Sequence, residues 1–583
     1  MAPLRPLRKH EKQKMENNNA RRSFLKKATL AGGAALLGGA TSWATPAENA
    51  AEDSFGPSGK PLKTPDGSTV LQVLQTTDVH CQIHPHDELF WENDRAVFRK
   101  TGGYAQLATY LRKTRKKGAS YLIDTGDMFQ GSELSVQTSG AALVPILNAL
   151  DYDLYLPGNW EVIYYKQAMQ RLLGSLHAPK VCANMYHAKP DGSKGELIFP
   201  AYSVWEVDGI KVGFLGYTDP LVPLRQSPNY SKGIVYTAPE ENLAHYVDVL
   251  RNQEQCAAVL VVAHLGLSQQ IHLANLPECA GVDYILGGDT HERVREPLVC
   301  TYSKVVEPGA FGSFVGRLEL HFKDGKLVDS TYALDEITAS KYSADPAVAA
   351  LLAAQEIPFK NSIERVLGTS KVPLYRYFVV ENPIDQMVLD ALKWRLPEVD
   401  VVLSNGFRFC PPRTTPDANG LIPITHGYLF DMLPVDSTVR IAEASGQQIL
   451  DWLEKELNNV FAAKANERFG GWVIKFKGMQ VEFYAYKPKG QRVASVRIQG
   501  APLDPQRIYV LSACERDGDP QDMLCRIKGV KNARNTSYTL HSTMEAYLAA
   551  NSPVSPTPEG NARVLDAPQN LLTQVTGVPY SFR

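Results

Sequence analysis

The stretch LQVLQTTDVH, residues 71–80, is a short apolar run followed by a carboxylate and an imidazole, Asp78 and His80. Comparable apolar runs occupy residues 121–124, 154–156, 211–217, 257–263 and 283–288, with helix-like segments such as 105–117 and 140–149 between them. Strands that alternate with helices predict an α/β layered domain, because each helix covers one face of a sheet.

Five of these runs end in side chains that can bind a metal ion. They are Asp78 with His80, Asp127, Asn159, His264, and Asp289 with His291. Open α/β sheets bind their ligands beyond the ends of their strands, so we expect these side chains to lie close together. In an extended backbone, positions i and i+2 point to the same face, and each Asp-x-His pair would converge in that way.

A single Asp at a strand end is more often a helix cap or a turn former than a metal ligand. Five such ends in one domain nevertheless form an oxygen and imidazole set that suits manganese, iron or zinc. Two divalent ions about 3.5–4 Å apart could activate a bridging water and hold a tetrahedral phosphate or sulfate centre. We found no G-x-S-x-G, P-loop or H-E-x-x-H motif to supply rival chemistry.

The composition limits the other classes of function. The 583 residues include 61 Lys and Arg against 62 Asp and Glu, so nothing in the overall charge attracts a nucleic-acid polymer. The eight cysteines form no CxxC pair, which argues against a zinc ribbon or a thioredoxin-like site.

The first 47 residues resemble a twin-arginine signal peptide. Arg21 and Arg22 precede a Gly- and Ala-rich apolar run at residues 28–40, which is shorter than the roughly 20 residues of a membrane-spanning helix. We therefore expect export by the twin-arginine machinery, a periplasmic mature protein and no stable membrane insertion. The alternative is a basic tail with a chance arginine pair.

The rest of the chain divides into four predicted parts. They are a linker at 48–66, a catalytic domain at 67–340, a connecting helix at 341–366 and a C-terminal domain at 367–583. The last part is a second α/β unit, with predicted helices at 383–394 and 446–457 and predicted strands at 399–405, 472–478 and 507–513.

The ordered motifs Asp-x-His, Gly-Asp, Gly-Asn, His and Gly-Gly-x-Thr-His resemble those of the calcineurin-like metallophosphoesterase superfamily, and the C-terminal domain resembles that of the 5′-nucleotidase family. The resemblance covers residues 68–583. It implies a four-layered α/β/β/α catalytic domain followed by a smaller α/β domain. It also implies one metal site made of Asp78, His80, Asp127 and His291, and a second made of Asp127, Asn159, His264 and Asp289.

Two positions depart from the nucleotidase pattern. Trp160 follows Gly158-Asn159 where nucleotidases have a His that stabilises the transition state, and Asp289 replaces the first His of Gly-His-Thr-His. Trp160, the export signal and the Gly126-to-Ser132 run resemble the Sox-system thiosulfohydrolase subgroup. Its dimanganese members release sulfate from a cysteine S-thiosulfonate on a carrier protein.

The resemblance to 5′-nucleotidases implies that the substrate would be bound by Asn405, Phe407 and Arg408. It also implies that Asp127, Asn159 and Arg408 would be the catalytic residues. Arg408 could hold a pair of phosphate or sulfonate oxygens, although an ordinary ion pair is an equal alternative. The charged block at 513–519 lacks the base-stacking residue of nucleotidases.

Three functions therefore remain open. The first is sulfate release from a carrier-bound sulfur ester, and the second is hydrolysis of nucleotides or other phosphate monoesters. The third is a non-catalytic binding protein on the same fold.

Overall fold

The computed structural model describes residues 60–404 and 410–573. The predicted signal peptide at 1–47, most of the predicted linker, and residues 405–409 lie outside the described residues. Within the described ranges, no helix is both long enough and apolar enough to cross a bilayer.

The first domain is built on two six-stranded sheets. Its strands are β1 (Leu62–Lys63), β2 (Thr69–Thr76), β3 (His86–Glu92), β4 (Arg95–Thr101), β5 (Ser120–Asp124), β6 (Leu154–Tyr155), β7 (Met185–Ala188), β8 (Lys194–Leu197), β9 (Tyr202–Val207), β10 (Ile210–Thr218), β11 (Ile234–Tyr236), β12 (Ala258–His264), β13 (Tyr284–Leu286), β14 (Leu298–Val299), β15 (Lys304–Val306), β16 (Phe314–Lys323) and β17 (Lys326–Glu336). Its helices are α1 (Tyr104–Arg115), α2 (Glu133–Thr138), α3 (Leu143–Ala149), α4 (Tyr165–Gly174), α5 (Val222–Arg225), α6 (Leu243–Asp248) and α7 (Leu267–Ala274).

The two sheets pack face to face around an apolar core. The first has the order β17-β16-β2-β5-β6, with β1 as its sixth strand, paired with one end of β2. The second has the order β14-β15-β13-β12-β10-β9. Tyr121 of the first sheet stacks against Trp205 and Phe214 of the second, with ring centroids 5.0 and 4.7 Å apart. Helices α1 and α3 contribute to the same core, and α6 and α7 cover the outer face of the second sheet. The predicted α/β/β/α layering is confirmed.

Parallel pairing places the strand ends that precede the candidate ligands along common edges. β2, β5 and β6 run parallel in the first sheet, and β10, β12 and β13 run parallel in the second. Every residue of β2 and β12 is buried, and β12 is a nearly continuous apolar run for this reason.

Two sequence-based boundaries differ from the structure. The predicted linker reaches into the fold, because β1 pairs with Thr69 and Val70 of β2. The single connecting helix predicted at 341–366 is wrong, since two helices occupy this range, α8 (Pro346–Glu356) and α9 (Lys360–Ile363). The break falls at Pro358, which lacks the backbone N–H that would continue the first helix.

The C-terminal domain carries a five-stranded sheet of order β22-β19-β26-β21-β29 and a four-stranded sheet of order β25-β24-β23-β30. Its strands are β18 (Val366–Ser370), β19 (Val401–Ser404), β20 (Ile422–Thr425), β21 (Thr438–Ser445), β22 (Lys475–Lys477), β23 (Met479–Phe483), β24 (Val493–Ile498), β25 (Ala501–Pro502), β26 (Ile508–Cys514), β27 (Met523–Leu524), β28 (Ile527–Lys528), β29 (Lys531–Thr539) and β30 (Ala562–Val564). Its helices are α10 (Pro383–Arg395), α11 (His426–Met432), α12 (Gly446–Phe461) and α13 (Leu540–Asn551).

Hydrogen bonds join the two domains at separate points. They are Gln82 Nε2 to Asp431 Oδ1 at 3.1 Å, Thr414 N to Asp87 Oδ2 at 2.9 Å, Gln130 Nε2 to Pro434 O at 2.9 Å, Gln269 Nε2 to Ala465 O at 2.7 Å and Arg516 Nη1 to Leu224 O at 2.6 Å. Several of these residues are neighbours of the candidate ligands, so the C-terminal domain braces the loops that carry them.

Candidate metal centre

Three of the predicted ligands meet at the end of β2. Asp78 Oδ1 lies 3.3 Å from His291 Nε2 and 3.8 Å from His80 Nε2, and the two imidazole nitrogens are 3.1 Å apart. One metal ion could contact all three atoms at once. Asp78 and His80 are near neighbours in the chain, whereas His291 lies more than 200 positions from them.

Asp127 lies between this group and a second one. Its Oδ2 is 3.2 Å from His264 Nε2 and 3.7 Å from His80 Nε2. Asp78, Asp127 and His264 form a second group of atoms close enough to share an ion. A carboxylate in this position can bridge two cations.

Asn159 and Asp289 complete the cluster on the His264 side. Asn159 Nδ2 donates a hydrogen bond to Asp289 Oδ1 at 2.6 Å, and the same carboxylate oxygen is 3.8 Å from His264 Nε2. All seven predicted ligands are therefore brought together by the fold, along a continuous chain of short contacts.

The backbone reaches this arrangement by a different route from the one expected. Asp78 and His80 have φ values of 49° and 48°, and Asp289 and His291 have φ values of 89° and 60°. The expectation of an extended chain in each Asp-x-His pair is wrong, because these values belong to the left-handed region. Asp127, with φ 60°, shares it. Each such non-glycine residue costs about 1–3 kcal/mol, and such strain concentrates at functional sites.

Glycine is required where two of the loops touch. Gly126 has φ 105°, and a Cβ there would lie 2.5 Å from the nitrogen of Gly158. A Cβ on Gly158 would in turn lie 2.3 Å from Asp127 Oδ1. Side chains at either position would push the Asp127 loop away from Asn159.

Two buried atoms aimed into the cluster have no hydrogen-bond partner among the described residues: Asp78 Oδ1 and His264 Nε2. Leaving such atoms unpaired costs about 1–3 kcal/mol each. In both His264 and His80, the other ring nitrogen, Nδ1, is hydrogen-bonded to the backbone. His264 Nδ1 lies 2.7 Å from Thr125 O, and His80 Nδ1 lies 2.9 Å from Gln130 O. This pattern leaves both Nε2 atoms facing the cluster, so the donor set fits metal ions.

The titration properties of the cluster follow from burial and mutual charge. Burial lowers the pKa of His80 to about 3, with a further contribution from His291, so His80 is a neutral imidazole near pH 7. Burial raises the pKa of Asp127, against the opposing effect of His264. Burial also opposes ionisation of Asp78, but the charges of His264 and His291 outweigh it and lower its pKa.

Comparison with known proteins places the chain in a family. The model for calcineurin-like phosphoesterases matches residues 71–293, and the model for the 5′-nucleotidase C-terminal domain matches residues 366–513. The chain belongs to the calcineurin-like phosphoesterases with a 5′-nucleotidase C-terminal domain. Members of this family are metal-dependent hydrolases, which confirms the enzyme prediction.

Two solved structures share this fold. Sulfate thiohydrolase SoxB from Thermus thermophilus superposes with a TM-score of 0.76 at 23% identity, over 86% of this chain and 98% of that one. A 5′-nucleotidase precursor, also from Thermus thermophilus, superposes with a TM-score of 0.72 at 22% identity, over 86% and 100% of the two chains.

Sequence relatives include proteins named for nucleotide hydrolysis. Human 5′-nucleotidase is 26% identical over 472 residues, 74% of this chain and 78% of its own length. The trifunctional nucleotide phosphoesterase YfkN of Bacillus subtilis is 25% identical over 496 residues. The matched region is 76% of this chain but only 31% of YfkN, so the chain spans about a third of that relative.

The candidate metal centre also includes a buried carboxylate that the sequence analysis missed. Glu161 is 1% exposed, and its two oxygens accept hydrogen bonds from the backbone nitrogens of Asp127 at 3.1 Å, Met128 at 2.8 Å and Gly158 at 2.6 Å. Glu161 thereby ties the Asp127 loop to the Asn159 loop. In the sequence, only its position two residues after the candidate ligand Asn159 could have indicated this role.

A sixth strand end was also missed. Asp219 follows the apolar strand β10, shows the same pattern as the other candidates, and is 2% exposed. Its Oδ2 lies 3.2 Å from Nη1 of Arg225, which is also 3.2 Å from Asp289 Oδ2. Glu307 is likewise fully buried, and it accepts a hydrogen bond from the backbone nitrogen of Glu292 at 2.8 Å, next to His291.

Two histidines that follow the first ligand pair lie outside the cluster. His84 pairs with Glu356 at 2.7 Å and is half exposed, and His86 packs edge-on against Phe311. Phe483 of the C-terminal domain is a fully buried core side chain, so it offers no surface on which a base could stack. Asn405, Phe407 and Arg408 lie in the segment 405–409 that the structure does not describe.

Proposed function

We propose that this protein is an exported dinuclear-metal hydrolase that releases sulfate from a carrier-bound S-thiosulfonate, as SoxB-like enzymes do. The first ion would be held by Asp78, His80, Asp127 and His291, and the second by Asp127, Asn159, His264 and Asp289. The unpaired inward-facing atoms of Asp78 and His264 support this ligand set. The mixture of oxygen and imidazole donors suits manganese, with iron or zinc as alternatives.

When bound, two divalent ions lower the pKa of a water molecule and stabilise developing charge on oxygen. The protein contributes by fixing the orientation of the ligand side chains through hydrogen bonds. Asp127 Oδ1 accepts a hydrogen bond from the backbone nitrogen of Trp160 at 2.8 Å, which orients Oδ2 toward His264. The Nδ1 atoms of His80 and His264 donate hydrogen bonds to backbone carbonyl oxygens, which fixes the orientation of both imidazole rings.

The observation that carries the choice of substrate is the surroundings of Trp160. Its side chain packs against the cluster formed by Leu89, Ala310, Phe311 and Tyr377, so an aromatic surface made by both domains borders the metal centre. An indole N–H can donate a hydrogen bond, but it is not one of the groups that act as general acids.

This feature favours a leaving group that departs without a proton. Hydrolysis of a cysteine S-thiosulfonate breaks the bond between the sulfonate sulfur and the neighbouring sulfur, and the water oxygen adds to the sulfonate sulfur. The products are sulfate and the cysteine persulfide anion, and the two protons of the water pass to solvent. Even a thiol, which is a weaker acid than a persulfide, has a pKa of about 8.5, so such a sulfur anion leaves readily near neutral pH. The alkoxide of a nucleoside is far more basic and gains more from a proton donor at position 160.

A second observation supports a substrate without a nucleobase. In the block at 513–519, Arg516 Nη1 donates to Leu224 O at 2.6 Å, and Asp517 Oδ2 accepts from Asn229 Nδ2 at 3.0 Å. These residues are engaged in contacts between the domains. The block that corresponds to the base-binding loop of nucleotidases thus has no aromatic side chain and contacts the first domain instead.

The test is direct measurement of products. Manganese-loaded protein is incubated with a peptide bearing a cysteine S-thiosulfonate, and sulfate is quantified by ion chromatography. We expect turnover in the wild type and none in Asp127→Asn. AMP and p-nitrophenyl phosphate are assayed in parallel, and Trp160→His is expected to shift the ratio toward phosphate release. Loaded protein that releases no sulfate, but does release phosphate, would overturn the proposal.

The second candidate is a periplasmic phosphomonoesterase or 5′-nucleotidase. The relatives named for nucleotide hydrolysis, and the set of candidate ligands that the fold brings together, support it. In that case Arg408, with Asn405 and Phe407, would bind the substrate, and Arg408→Gln would raise KM for AMP. Arg413→Gln, a substitution five residues on, is the matched control.

Export by the twin-arginine pathway is part of the proposal. Replacing Arg21 and Arg22 by lysine should retain the precursor inside the cell, because the pathway reads the arginine pair. Cell fractionation measures this, and a periplasmic double variant would contradict it.

A further inference from the structure

Asp289 creates an electrostatic problem that a histidine at the same position would not. The second candidate ion would face the carboxylates of Asp127 and Asp289, and Asp219 is a third carboxylate close behind them, only 2% exposed. Like charges held together away from water are unfavourable unless an opposite charge compensates them.

Arg225 lies where that compensation is needed. A single nitrogen, Nη1, is 3.2 Å from Asp289 Oδ2 and 3.2 Å from Asp219 Oδ2. The other oxygen of Asp289 faces the cluster, 3.8 Å from His264 Nε2. Arg225 thus contacts the carboxylate from behind and leaves its inner oxygen available to an ion.

The segment that carries Arg225 also reaches the neighbouring ligand. Gln226 Nε2 donates to Asn159 Oδ1 at 3.2 Å, so adjacent residues support two ligands of the same site. The C-terminal domain supports this segment in turn. Arg516 Nη1 donates to the backbone oxygens of Leu224 and Gln226, and the guanidinium of Arg225 lies 5.5 Å from the ring centroid of Phe469.

We propose that Arg225 is a positioning residue that orients Asp289 and offsets its charge, so that an aspartate can serve at the second metal site where relatives have a histidine. This inference rests on the proposed two-ion site. Arg225 offsets the charge of Asp219, so that the single negative charge of Asp289 is added to those of the other carboxylate ligands, opposite two divalent ions. Without Arg225, Asp219 and Asp289 would repel each other and turn the Asp289 side chain.

The experiment is a double-mutant cycle read by metal binding. Wild type, Arg225→Gln, Asp289→His and the double variant are stripped of metal and reloaded. Bound manganese is counted by mass spectrometry after desalting, and affinity is measured by titration calorimetry. We expect Arg225→Gln to weaken the second manganese about 10–100-fold, the usual effect of losing a residue that supports a ligand.

In the Asp289→His background, the same arginine substitution should change the affinity by less than about threefold, because no carboxylate remains for Arg225 to orient. Arg225→Lys should keep most of the affinity for the second manganese that Arg225→Gln loses, since a single nitrogen of Arg225 makes both contacts. Arg317→Gln is the control for losing a bridging arginine, because Arg317 pairs with Asp335 and Glu319 and contacts none of the candidate ligands.

The possible results distinguish a failure of this inference from a failure of the proposed two-ion site. If Arg225→Gln lowers the affinity equally in the wild-type and Asp289→His backgrounds, its role is merely structural and the inference is overturned. An Arg225→Gln variant that binds both ions as tightly as the wild type would overturn it as well. A wild type that binds fewer than two ions would instead overturn the proposed two-ion site itself. Circular dichroism of the metal-free variants verifies that they are folded.

Discussion

Replacing Glu161 by glutamine tests the central idea that one carboxylate ties two ligand loops together. Oε2 accepts hydrogen bonds from the backbone nitrogens of Asp127 and Gly158, and Oε1 accepts one from Met128. A glutamine has a single acceptor oxygen. If that oxygen takes the place of Oε2, the amide nitrogen faces the N–H of Met128, and a buried donor loses its partner.

The expected cost follows from these three bonds. An unsatisfied buried donor costs about 1–3 kcal/mol. The two remaining bonds lose the assistance of the negative charge, which is worth about 1 kcal/mol each. We therefore expect a loss of about 3–5 kcal/mol in the free energy of unfolding, together with a manganese affinity lower by about 10–100-fold because the Asp127 loop is no longer held.

The chain offers a closely matched control in the C-terminal domain. Glu381 also accepts three backbone hydrogen bonds, with Oε1 taking those of Asn561 and Ala562 and Oε2 taking that of Gly560. Glu381→Gln should destabilise the fold without changing manganese affinity. Chemical denaturation and calorimetric titration measure the two quantities. The reasoning is refuted if Glu161→Gln binds manganese like the wild type, or if both variants lose affinity equally.

Three further predictions concern the metals and pH. His264→Ala should reduce bound manganese from two ions to one per chain by mass spectrometry, and retention of both would exclude its Nε2 as a ligand. Chelation should lower the thermal midpoint and abolish turnover, and manganese at a hundred times its Kd should restore about 2.7 kcal/mol of stability; an unchanged midpoint would contradict this. Burial raises the pKa of Asp431 to about 7, so the folded protein binds more protons than the unfolded chain between about pH 4 and 7, and stability falls as pH rises through that window. Asp431→Asn should flatten this dependence in thermal unfolding at pH 5 and pH 8, and an unchanged slope would count against it.

The seven candidate ligands could be picked out of the sequence because each one follows an apolar run, and the fold brings their side chains together. Buried strands must be apolar, and a polar residue directly after one lies at the sheet edge where ligands bind. Asp219 carried the same signal after β10 and could have been found. The extended backbone expected at Asp78 and His80 was wrong, because strand periodicity says nothing about the φ angles of the loop that follows.

The alternation of apolar runs and helix-like segments along the chain was sufficient to indicate the two-domain α/β architecture and the positions of the candidate metal ligands, because both depend on local patterns of burial. Only the folded arrangement decided which charges face each other. Arg225 and Asp289 are 64 positions apart, and no local pattern links them. They meet because parallel pairing of β10, β12 and β13 brings the loops that follow these strands to one edge, where a guanidinium and two carboxylates must balance out of contact with water.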